Sequence, residues 1–413
     1  MRLRAVLLRS VALAGVAAAC DSGDARLTAP EGASAFSRFV TIGTGFTMGE
    51  QSGGVIYESQ LTAWPVRLAG RMAAGFRVPA LKQPGCTPPL VAPLAMRRTL
   101  EGPITSVVSC AGKLGVDTLP ASNLAVSGAT AWDALHVSPR TFAGKAASLD
   151  QERYALVLPP TQTQVQALQS SRPTLVAVEL GTGEVMRAMN SGLVIVGTGY
   201  AQKTAWTLMP ASVFAAVFDS LADSVAATGA RAVFIGVPPV ISLPAWRAGD
   251  VLWQQRADLT ANGITVAGDC ATSTNLVHVA VLVPAMAALA RSSATAQALS
   301  CADQPGVADH ILTAADAQLI DQTVTAINAV IKAAADRHQF AYAGTPLYSS
   351  EIPFAAPSFT ASALLTSDQP FGAATSLDGF FPSALGHDLM ADVVAGALNQ
   401  RYGWKIPVPP RPL

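Results

Sequence analysis

Four short stretches carry the side chains and turns that could do chemistry. They are Gly43-Thr44-Gly45-Phe46-Thr47-Met48-Gly49, the turn at Gly128 within ASNLAVSGAT, Gly181-Thr182-Gly183-Glu184, and Ser376-Leu377-Asp378-Gly379-Phe380-Phe381-Pro382-Ser383. Thr44 and Thr47 offer hydroxyls, Glu184 and Asp378 offer carboxyls, and His387, just past the fourth stretch, offers an imidazole. A hydroxyl, an imidazole and a carboxylate in one hydrogen-bonded line can attack an acyl carbon, while backbone N–H groups in turns such as those at Gly45 and Gly128 hold the oxyanion that forms. That chemistry requires the imidazole within hydrogen-bond reach of the hydroxyl. Each candidate also has a plain structural reading. Thr44 and Thr47 suit turn hydroxyls bonding local backbone. His387 suits helix packing or the surface, Asp378 suits a cap on the terminal helix, and His136, His278, His310 and His338 have no motif around them. Glu184 could pair with a cation, but one carboxylate makes no metal site, and neither a metal nor a cofactor is expected.

The elements that must position these stretches alternate. Phe39 to Gly43, Thr174 to Gly181 and Arg231 to Gly236 are apolar runs that end in glycine, as strands buried on both faces of a parallel sheet do. Val213 to Thr228, Ala314 to Ala335 and Ser383 to Arg401 read as helices. The expected class is therefore α/β: three layers, with a mostly parallel sheet covered by helices on both sides. Ligands of such sheets bind where loops leave the carboxyl ends of the strands, which is where these stretches fall. Residues 79 to 122, with seven prolines, and residues 240 to 310 break the rhythm and read as insertions between core elements. One domain is expected over 37–405, after a small, polar linker at 21–36 and before a proline-rich tail at 406–413.

Of the 413 residues, 50% are hydrophobic and 13% charged, and 27 basic side chains balance 27 acidic ones. This composition does not fit a disordered chain or a nucleic-acid binder. The N-terminus, MRLR followed by an apolar stretch to Ala19 and then Cys20, carries the marks of a secretory signal. Cleavage before Cys20 would free a thiol for lipid attachment, since Ala-Ala-Ala-Cys resembles a bacterial lipobox; residues 1–20 read as the signal peptide, of which only Cys20 would stay with the body. Losing Arg2, Arg4 and Arg9 would leave 24 basic side chains against 27 acidic, so the exported body is mildly acidic. Cys86, Cys110, Cys270 and Cys301 are then an even number in an exported chain, which predicts two disulfides. Of the three possible pairings, Cys86 with Cys110 and Cys270 with Cys301 each close a local loop, and with no CxxC or His pair beside them a zinc site is not expected.

In order and spacing, the four stretches resemble the blocks of the SGNH, or GDSL, hydrolases, in particular an exported bacterial lipoprotein branch whose first block reads like GNSLTAGFQSGG. Here that block is GTGFTMGEQSGG, and GCTPPLVAPL, NLAVSGAT, FIGVPPVISLP and DGFFPSALGHDLMAD extend the likeness over nearly all of 37–405. The resemblance implies a flavodoxin-like three-layer fold and an ester-hydrolase ancestry. It also implies that the catalytic side chains have been lost. The family's nucleophilic serine falls at Gly45, its oxyanion asparagine at Gly183 and its catalytic histidine at Phe381; Asp378 keeps the acid position, and the backbone of Gly45 and Gly128 keeps the other oxyanion donors. Glycine has no hydroxyl and phenylalanine takes no proton, so nucleophile and base vanish together. The resemblance therefore implies a non-catalytic envelope lipoprotein that binds an acylated glycan or another small-molecule or lipid-like ligand in the old groove. Two alternatives stand beside it: an esterase with a relocated nucleophile and base, drawn from Thr44, Thr47 and His387, and a module for protein interaction in the envelope. The expected partners are such a ligand and a membrane reached through Cys20, with no nucleic acid.

Overall fold

Strands that are apolar at almost every position have almost no solvent face, so they lie inside a sheet covered on both sides. In the computed structural model, which describes residues 33–104, 109–115, 120–239, 242–292, 298–344 and 358–410, four such strands form the central sheet: β1 (Phe39–Gly43), β2 (Leu175–Glu179), β3 (Arg231–Ile235) and β4 (Ala341–Ala343). They lie side by side in that order, and every pair is parallel. Residues 122–126 extend the sheet beyond β1. Thr41 bridges Asn123 in parallel, Leu124 N–H donates to the Thr41 carbonyl at 2.8 Å, and Val126 N–H donates to that of Gly43 at 3.0 Å. Counted along the chain, the order is 2-1-3-4-5, one of the two common doubly wound orders, whose crevice opens beside the first strand.

Successive strand residues point to opposite faces. Val40, Ile42, Val176, Val178, Ala232 and Phe234 belong to one core, and Phe39, Leu175, Ala177, Val233, Ile235 and Ala341 to the other. The first core is covered by helices including α2 (Ala211–Ala226) and α3 (Ala314–Arg337); the second by α1 (Trp64–Arg71) and α4 (Ala384–Tyr402). The expected strands and helices thus occur within two residues of their predicted ends.

Both disulfides have the local pairing, Cys86–Cys110 and Cys270–Cys301. The first insertion folds into a three-stranded ribbon of two-residue strands at Leu90–Val91, Arg98–Thr99 and Gly102–Pro103. The second builds a small antiparallel sheet, Trp246–Ala248 and Leu276–His278 with Ile311–Leu312. Its apolar residues, among them Trp246, Leu252, Leu259 and Val283, are continuous with the core on the α2 and α3 side, so it has no core of its own. The apolar run near Val277 becomes the helix Val279–Arg291, and among the described residues no helix is long and apolar enough to cross a membrane.

The core also reaches past the expected limits of the domain. Phe36 and Ile406 are buried, and the Phe36 ring meets that of Trp404 edge-on at 4.7 Å. Asn399 fixes the returning chain by bonding both the N–H and the carbonyl of Ile406 at 2.8 Å. The expected signal segment and Cys20 lie outside the described residues.

Candidate functional site

The four stretches converge. Thr44 and Gly45 follow β1, Ser127 and Gly128 follow the strand-like segment 122–126, Thr182 and Gly183 follow β2, and Phe381 comes from the loop before α4. All of them line one cleft of about 330 Å³ at the carboxyl edge of the sheet, joined by Glu50, Asp150, Arg153, Met186 and Arg187. This is the crevice that the strand order predicts. A larger hollow of about 590 Å³ lies between Pro120–Leu124 and Pro159–Ser171, and none of the block glycines reaches it.

At the first block, a side chain on Gly45 would have to displace two neighbouring side chains. A Cβ there would lie 2.3 Å from the Glu50 carboxyl oxygen Oε2 and 2.9 Å from the Phe381 ring. Glu50 is buried, and burial raises its pKa above the usual carboxylate value, with the Arg153 charge pulling the other way. Phe381 packs on Phe46, ring centroids 5.0 Å apart. Phe380, beside it in the chain, turns toward the second insertion, where its ring lies 4.9 Å from His278 and 6.3 Å from Trp246. At the third block, a Cβ on Gly183 would lie 2.1 Å from the Ala129 carbonyl oxygen, so the backbone of the second block occupies the space an asparagine side chain would need.

The threonines do not bond local backbone as expected. Both reach Glu179, the last residue of β2. Thr44 Oγ1 donates to its Oε2 at 2.7 Å, Thr44 N–H donates to the same oxygen at 3.0 Å, Thr47 Oγ1 donates at 3.2 Å, and Thr182 Oγ1 donates to Oε1 at 2.8 Å. Burial raises the Glu179 pKa, and these hydrogen bonds work against that shift. One buried carboxylate thereby fastens the first block to the third. The signal for it was legible: an acid closing an otherwise wholly apolar strand, LVAVE, must have donors waiting.

Asp378 is fully engaged, but as a turn residue and not as the cap of α4. Its Oδ1 accepts the N–H groups of Phe380 and Phe381 at 2.7 and 2.8 Å, and its Oδ2 accepts Gly53 N–H at 2.5 Å and Ser376 Oγ at 3.1 Å. The cap of α4 is Ser383, whose hydroxyl accepts Gly386 N–H. His387 is completely buried on α4 and does not line the cleft; burial, with the Arg67 charge adding to it, lowers its pKa to about 3. His278 is also buried and lowered to about 3, while His136 is exposed and bonds the Trp132 carbonyl. Among the described residues, no histidine lines the cleft.

Glu184 is buried beside the cleft and, among the described residues, binds no basic group directly. Its Oε1 accepts Ala131 N–H at 2.7 Å and the Tyr200 hydroxyl at 2.9 Å. Burial outweighs these bonds and raises its pKa to about 7. Because the folded form holds this proton more tightly than the unfolded chain, the contribution to stability is fully present below pH 4.5 and is lost as pH rises through about 7. The shift is worth about 3 kcal/mol. Glu184→Gln should remove that component, so the difference in thermal midpoint between wild type and variant should change between pH 4.5 and 7. A constant difference across that range would show that Glu184 does not titrate there.

Of the predicted side chains, the structure brings Thr44, Gly45, Gly128, Gly183 and Phe381 to the cleft and leaves Thr47 and His387 in the packing. Glu50, Arg153 and Arg187 are cleft residues that the sequence reading did not single out. The three-residue cluster Asp269, Cys270 and Cys301 has the proximity of a metal site, but its two cysteines are joined in a disulfide. No family model, curated protein or solved structure matches the chain.

Proposed function

We propose that this chain is an SGNH-hydrolase-like protein of the bacterial envelope that binds a ligand in its cleft and does not cleave it. The supporting features are the 2-1-3-4-5 sheet, the meeting of four separated blocks at its carboxyl edge, and the two disulfides of an exported protein. The carrying observation is the closure of Gly45 by Glu50 and Phe381, which puts an acid and a ring where a nucleophile and its base would have to stand. Anchorage through a lipid on Cys20 belongs to the same reading. An acylated glycan or lipid-like ligand suits the mixed lining, in which Phe381 and Met186 lie beside charged groups.

The rival reading, an esterase with a relocated nucleophile, would have to use Thr44, whose hydroxyl is instead committed to Glu179. Purified protein should therefore hydrolyse p-nitrophenyl acetate no faster than a heat-denatured control. Turnover that disappears in Thr44→Ala protein that is still folded, but survives in Thr44→Ser, would overturn the proposal.

A further inference from the structure

Two guanidinium groups share the cleft. A Cβ built on Gly128 would lie 3.3 Å from Arg187 Nη2 and 3.7 Å from Arg153 Nη1, so both cations stand over the same glycine, whose φ of +78° opens the turn there. Their common carboxylate is Asp150, which is 3.6 Å from each and 41% exposed. At that distance the contacts are ionic but are not hydrogen bonds, and exposure to solvent weakens them. Arg153 Nε is buried and has no hydrogen-bond partner among the described residues. Glu50, the other acid of the cleft, is buried, which raises its pKa, while the Arg153 charge acts to lower it. Among the described residues, Glu50, Asp150, Arg153 and Arg187 are the charged groups of the lining.

From this we infer that the cleft takes an oxyanion, a carboxylate or a phosphate, between Arg153 and Arg187 above Gly128, with an apolar body against Leu149, Met186 and Phe381. The inference rests on the reading of the cleft as a binding site and narrows its ligand to amphipathic anions. Arginine suits this task because its planar fork matches both oxyanions with paired N–H donors. A cleft of about 330 Å³ has room for a head group and a short chain. Its position beside the first strand is where doubly wound sheets place ligands.

Titration calorimetry with octanoate, octyl phosphate and the neutral octanol, together with acetate and inorganic phosphate as head groups alone, tests this. Octanoate or octyl phosphate should bind to wild type, more weakly as salt is raised, and comparison of the two arms identifies the preferred oxyanion. Arg153→Gln and Arg187→Gln should each weaken that binding by about tenfold and leave octanol unaffected. Asp150→Asn, which removes the competing carboxylate while keeping its shape, should tighten it. Equal binding of octanol and octanoate, or undiminished octanoate binding by the double arginine variant, overturns the anion assignment and leaves a neutral binding cleft. Failure of every probe to bind wild type, or hydrolysis of p-nitrophenyl octanoate, overturns the underlying reading as well.

Discussion

Gly183→Asn, the change that would supply an oxyanion-type amide at the third block, should lower stability by about 4 kcal/mol or more, because overpacking against backbone leaves no rotamer to absorb it. The contact responsible is the Ala129 carbonyl oxygen, 2.1 Å from where the new Cβ would stand, with the Ala129 carbonyl carbon at 2.7 Å. Gly45→Ser should be much milder. There the obstacle is the end of the Glu50 side chain and the edge of the Phe381 ring, both of which can rotate away. The triple change Gly45→Ser, Gly183→Asn, Phe381→His should accordingly yield an unstable protein and not a restored esterase. Denaturant midpoints of the single variants decide the matter; a Gly183→Asn protein as stable as Gly45→Ser would show that the second and third blocks are not packed flush.

Glu179→Ala should cost about 4 kcal/mol or more, since each buried donor left without an acceptor costs about 1 to 3 kcal/mol. The donors it would abandon are the hydroxyls of Thr44, Thr47 and Thr182 and the N–H of Thr44. Glu179→Gln should cost less but not nothing, because its amide nitrogen presents hydrogens to threonines that also need to donate. The expected order of urea midpoints is wild type, then Gln, then Ala. The damage should reach the cleft too, since the carboxylate sets the spacing between the loops after β1 and β2; an Ala variant with wild-type stability would reduce Glu179 to an incidental neighbour.

The layers of the fold were readable because apolar runs such as Phe39–Gly43 and Leu175–Glu179 admit only a doubly covered sheet, and the helices carried clean spacing. The last central strand, Ala341–Ala343, was not, because three residues, Ala-Tyr-Ala, carry too little periodicity to register. At the site, spacing located the glycine turns, but their occupants arrive by folding back or from distant parts of the chain. Glu50 lies just past the first block yet folds back over Gly45, and Arg153 and Arg187 reach Gly128 from separate helices. Tertiary approach of this kind leaves no local pattern. Asp378 shows the converse: its position was evident, but four donors converging on it make it a loop fastener whose role needs no histidine.

The chain enters the described fold at Phe36 and leaves it at Trp404, and these rings touch. Arg231, the first residue of β3, lies 5.3 Å from the Tyr402 ring and 5.4 Å from that of Trp404. Entry and exit therefore share the edge where the parallel strands begin, opposite the edge where they end and the cleft opens. A protein immobilised on a bead or vesicle by either end would present its cleft outward, away from the support. Surface plasmon resonance with the chain captured at either end should then give the same ligand affinity as measurement in free solution.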